Sequence, residues 1–99
     1  MASGELVYHV KTGAAEVERI LLTDEVASKA NILTKDASTL LGREGTYIRV
    51  LGTEEQLKRV KTLLEGKARR IEGDELQEVL RKLKEEDERA LAGFGSIFS

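Results

Sequence analysis

The chain has 99 residues, 34% of them charged and 40% hydrophobic, with a formal charge of −2, one histidine, and neither cysteine nor proline. That length supports a single core, and without cysteine it can build no disulfide and no Cys/His zinc cluster. No apolar run is long enough to span a bilayer and no basic-then-apolar leader opens the chain, so a soluble cytoplasmic protein is the plain expectation.

Leu6, Tyr8 and Val10 alternate with Val7, His9 and Lys11 over residues 5–11, the period-two pattern of a half-buried strand. Thr12 and Gly13 then turn the chain. Residues 17–23, VERILLT, fit a helix through Val17, Ile20 and Leu21, or a strand through Ile20 with Leu22 and Val17 with Leu21; we read them as the hairpin partner of the first strand. From Asp24 to Leu41 the positions Val26, Ala30, Leu33, Ala37 and Leu40 recur every three or four residues and predict a helix, which Gly42 stops. TYIRVLG at 46–52 predicts a strand, and TEEQLKRVKTLLEG a helix with Thr53 and Gln56 at capping-box spacing and Leu57, Val60 and Leu64 inward. KARRIE at 67–72 predicts a charged edge strand. A last helix is expected from about Asp74, burying Leu76, Val79, Leu80 and Leu83.

One turn past Leu83 that stripe meets Glu86 and Asp87, whose burial without partners would cost more than exposure. The expected organisation is therefore an α+β domain over residues 1–84 and a projecting helix end with an apolar tail over 85–99. Within the domain we expect a two-layer sandwich, its mixed sheet of three to four strands packed by two to three helices in the order ββαβαβα. Residues 46–72 would form a βαβ unit with parallel strands. Scarce Asn, Gln and Met beside abundant Glu, Lys and Arg resemble the composition of heat-adapted proteins.

Few side chains suggest chemistry. GREG at 42–45 has the G-x-x-G form with which K-homology domains clamp a nucleic-acid backbone, and YIRVLGTEEQLKRVKTLL resembles the strand and helix that often close such a domain. The departure is local: a helix follows the glycine loop in that family, whereas TYIRV begins at once here, and two glycines around a helix-to-strand turn are the plain reading. Three helix starts carry acids, Asp24 and Glu25, Glu54 and Glu55, Asp74 and Glu75, which stabilise the helix dipole and repel a phosphate. His9 lacks an orienting acid and a nucleophile nearby in sequence, Ser38 and Thr39 lack a glycine elbow, and Glu85, Glu86, Asp87 and Glu88 lack the spacing of a calcium loop. No catalytic residue, cofactor, metal ligand or small-molecule substrate is therefore expected.

Two binding surfaces remain. Residues 57–71 carry six bases, Lys58, Arg59, Lys61, Lys67, Arg69 and Arg70, against Glu65, and could track a phosphate backbone, although no aromatic residue interleaves them. Both phenylalanines fall in the last six positions, where Leu91, Phe94 and Phe98, with Ile97 beside them, follow the i, i+3, i+7 spacing of a helix seated in a groove. Docking of this tail on a protein partner or a second copy of the chain is the preferred expectation. RNA or DNA binding through the basic block is the alternative.

Overall fold

The computed structural model describes the backbone of residues 3–98 and the side chains of residues 3–87. The chain folds as β1 (Ser3–Val10), α1 (Ala14–Thr23), a 3-10 turn (Ala27–Lys29), β2 (Asn31–Asp36), α2 (Ala37–Leu41), β3 (Thr46–Thr53), α3 (Glu54–Leu64), β4 (Arg69–Arg70) and α4 (Gly73–Phe98). The α+β class agrees with the sequence reading, and so do three of the four strands, β1, β3 and β4. Two segments exchange roles, however. VERILLT is helical, with Val17 and Leu21 buried, and the segment expected to be a helix from Asp24 to Leu41 is a turn, a strand and one short helix.

Local chemistry explains the exchange. The Asp24 carboxylate accepts hydrogen bonds from the backbone N–H groups of Val26 and Ala27 at 3.0 and 2.9 Å, closing a turn where a longer helix was predicted. The Asp36 side chain then caps α2 by accepting from Ser38 N at 3.1 Å. Between these caps, Ile32 packs against the core while Leu33 on the alternate face stays 40% exposed, the alternation of a strand. The capping box of α3 forms as its sequence predicts, with Thr53 Oγ1 accepting from Gln56 N and Gln56 Oε1 from Thr53 N.

The sheet order is β2-β3-β1-β4, and every neighbouring pair is antiparallel. This corrects the expected mixed sheet. β3 and β4 do run in the same direction across the α3 crossover, but β1 lies between them and pairs antiparallel with both. The result is two interleaved β-α-β units, the split βαβ arrangement.

The expected two layers are three. On one face Leu6, Tyr8, Val10, Ile48 and Val50 pack against Val17 and Leu21 of α1 and Val60 and Leu64 of α3. On the other, Val7, Tyr47 and Ile71 pack against Ala37 and Leu40 of α2 and Val79 and Leu83 of α4. Strands carrying apolar residues at both odd and even positions must be covered on both sides, and a single helical layer cannot do that. Gly42 ends α2 in the left-handed region at φ 67°, and Gly45 enters β3 at φ 95° with its α-carbon pressed against the end of β1. GREG is thus the turn between α2 and β3.

Candidate interaction surface

The face covered by α4 is built in cross-strand rows. Register aligns Lys35, Tyr47, His9 and Arg69 across all four strands. The next row holds Leu33, Arg49 and Val7, and the one after it Asn31, Leu51 and Glu5. α4 is tied to both ends of the first row. Glu75, in its first turn, accepts from both terminal nitrogens of Arg69 at 2.9 Å each and from Arg43 at 3.2 Å. Glu86 lies 3.2 Å from Lys35 Nζ. Eleven residues of helix span about 16 Å, and three strand spacings about 14 Å, so α4 crosses the whole sheet from edge to edge between those two carboxylates.

The crossing settles the fate of the broken stripe. Glu86 retains 24% side-chain exposure and Asp87 is exposed, as expected of carboxylates that cannot enter a core. Their place is the sheet's β2 margin, where Lys35 offers a partner the sequence reading did not foresee. The expected tail contacts, Leu91, Phe94, Ile97 and Phe98, have side chains outside the described residues; their backbone belongs to α4, which ends at Phe98.

Below the helix the sheet is less covered. Tyr47 is 1% exposed beneath α4, whereas Leu33 is 40% exposed, Asn31 is exposed and Leu51 half-buried. Arg49 pairs with Glu5 across β3 and β1, the one charged pair on that part of the face among the described residues.

The six bases at 58–70 do not share one surface. Arg59 donates to Asp24 Oδ1 at 2.9 Å on the α1 side of the molecule, and this guanidinium, with the N–H groups of Ala27 and Val26, lowers the Asp24 carboxyl to about 2. Arg69 stands on the opposite face, in register with His9, and its hydrogen bonds hold the Glu75 carboxyl below the usual range. Arg70 pairs in register with Tyr8 and lies 3.7 Å from Glu72; burial raises the Tyr8 phenol above its ordinary value despite that nearby cation. Lys58 and Lys61 are exposed on α3, and Lys67 lies in the turn before β4.

A shallow cleft of about 920 Å³ opens where the top row meets the α2–β3 turn, lined by His9, Lys11, Arg43, Glu44, Lys67 and Arg69 among others. It is basic, but its guanidinium groups are bonded to Glu75. His9 Nε2 donates to the Glu44 carbonyl at 2.8 Å, which assigns its proton, and its ring lies 5.1 Å from that of Tyr47. His9 is thus a half-buried, hydrogen-bonded residue of a strand. Among the described residues no cluster of His, Asp and Glu could hold a metal ion, and no helix is long and apolar enough to cross a membrane.

The sequence pattern assigns no surface role to Lys35 or Arg43, and it sets Leu33 on a buried helical stripe. Asn31 and Asp36 bracketing an alternating I-L-T-K run were the available signal for a strand whose Lys35 and Leu33 share a face. Compared with protein-family models, with curated proteins and with solved structures, the chain matches none.

Proposed function

We propose that this chain is a non-catalytic interaction module that docks through the part of α4 beyond Glu86. The observation that supports it is the Glu86–Lys35 pair at the edge strand. By that residue α4 has already crossed the sheet, yet the helix continues to Phe98, about 18 Å further. That stretch carries Leu91, Phe94 and Phe98 at the spacing with which a helix anchors in a partner's groove. The tail is then an arm, with Ile97 flanking its anchors.

The basic block supports an RNA or DNA partner less well, because Arg59 and Arg69 lie on opposite sides of the sheet and both are tied to carboxylates. A four-stranded sheet that reads single-stranded RNA stacks bases on aromatic residues of its open face, and here Tyr47 on that face is beneath α4.

The test compares the intact chain with Phe94→Ala/Phe98→Ala and with a chain ending at Ala92, by light scattering over a range of concentrations and by recovery of co-purifying molecules. Association is expected to be lost in both altered chains and to change little between low and high salt. Binding that survives both changes, or that disappears when Arg69 and Arg70 become glutamate and weakens steeply with salt, would remove this reading.

A further inference from the structure

We propose that the partner is a second copy of this chain, joined by antiparallel pairing of the two β2 strands so that each α4 arm lies on the other copy's sheet. The proposal rests on the docking reading above and adds to it a partner, a register and a receiving surface.

β2 is the edge strand opposite β4, and among the described residues it pairs only with β3. The two edges differ. β4 has two residues, both arginine, a short and charged margin of the kind that discourages pairing between molecules. β2 has six, NILTKD, so the backbone groups on its outer side form a template several residues long. Its one cation, Lys35, is engaged by Glu86 on the α4 face. Leu33, at the strand's middle, is one of two large apolar side chains exposed among the described residues.

A strand meets its own copy antiparallel about a two-fold axis, and opposed residues must share a face of the joined sheet. Centring on Leu33 satisfies both conditions: Leu33 opposes Leu33 of the second copy, Ile32 opposes Thr34, and Asn31 opposes Lys35. No like charges meet. Centring on Lys35 would oppose two ammonium groups, which destabilises a sheet.

The same register decides where the arms go. With Asn31 opposite the second copy's Lys35, that copy's first row, along which its α4 runs, continues into the row Asn31, Leu51, Glu5 of this copy. That is the part of the face less covered by the resident helix, with Asn31 exposed and Leu51 half-buried. An arm of about 18 Å reaches across three to four strands at about 4.8 Å each. It would carry the backbone of residues 91–94 past Leu33 and Leu51 of the other copy, with the two α4 helices antiparallel on either side of the Leu33 pair.

Because the chain has no cysteine, Leu33→Cys gives a single thiol whose β-carbon should lie about 5 Å from its copy. Mild oxidation of the otherwise intact chain is expected to give a covalent dimer, whereas Leu22→Cys, more exposed but on α1, should form no disulfide-linked dimer. In sedimentation equilibrium Leu33→Lys should raise the dimer dissociation constant on the order of tenfold or more, with an unchanged circular dichroism spectrum and with the native melting curve at concentrations low enough for both chains to be monomeric. An intact chain that remains monomeric at high micromolar concentration would overturn the proposal, leaving docking on a different protein to the tail substitutions. A dimer that resists Leu33→Lys but dissociates on Phe94→Ala/Phe98→Ala would overturn the β2 register while keeping the arm.

Discussion

Arg59 Nε donates to Asp24 Oδ1 at 2.9 Å across 35 positions of sequence, while the second oxygen of the same carboxylate closes the turn at Val26 and Ala27. One carboxylate therefore joins α3 to the connection between α1 and β2. The basic block looks like a binding surface in the linear sequence partly because the acidic complement of Arg59 arrives from elsewhere in the chain.

This carboxylate sets an acid limit. Its folded pKa is about 2, below the value near 4 of an unfolded aspartate. The stabilisation is therefore fully present above about pH 4 and is lost as pH falls through about 2. Glu75, lowered by Arg69, acts with the same sign. Urea unfolding between pH 5 and pH 2 should show a steep loss of stability in the native chain and a shallower one in Asp24→Asn. Parallel curves for the two would contradict the assignment.

The first three turns of α4 pack on the sheet. Leu83 is 4% exposed in the cluster with Val7, Tyr47 and Val79, so Leu83→Ala should cost about 2 to 5 kcal/mol, measured by denaturant titration. Glu86→Gln, losing a partly exposed pair, should cost under about 1 kcal/mol. A Leu83→Ala chain as stable as the native one would mean that α4 does not pack on the sheet.

Gly45 cannot be replaced at small cost. A β-carbon there would lie 2.3 Å from the Val10 carbonyl oxygen, at φ 95°, so both contact and conformation oppose it. Gly45→Ala should lose at least about 2 kcal/mol, whereas Gly66→Ala, also at positive φ but facing open space, should lose less. Thermal melts of the two variants side by side test the difference.

Lys58, Lys61 and Lys67 are exposed and form no ion pair among the described residues. Replacing all three with glutamine should shift stability by no more than about 0.5 kcal/mol per site and leave the oligomeric state unchanged. Loss of self-association in that variant would return the basic block to consideration.

Much of the fold could be read before any coordinates. The alternation in ELVYHVK, the capping box at Thr53 and Gln56, and the stripe from Leu76 to Leu83 each depend on neighbours within one turn or one strand. The misread segments are those where local signals compete. Val17, Ile20 and Leu21 satisfy two periods at once, and Leu33, which completed the supposed helical stripe, belongs to a strand in which it faces outward. The candidate surface was half legible: Glu86 and Asp87 interrupt the buried stripe in the sequence itself, but Lys35 can be matched to Glu86 only once β2 is recognised as a strand on the sheet's margin.

A strut fastened to both margins of a sheet has a dynamic consequence. The outermost strands of an open sheet ordinarily fray independently, each protected only by its single neighbour, but here Arg69 on one margin and Lys35 on the other are held by the same rigid rod. Amide protons of β2 and β4, remote in sequence and never adjacent in space, should therefore exchange with solvent at a common rate, as members of one cooperative unit.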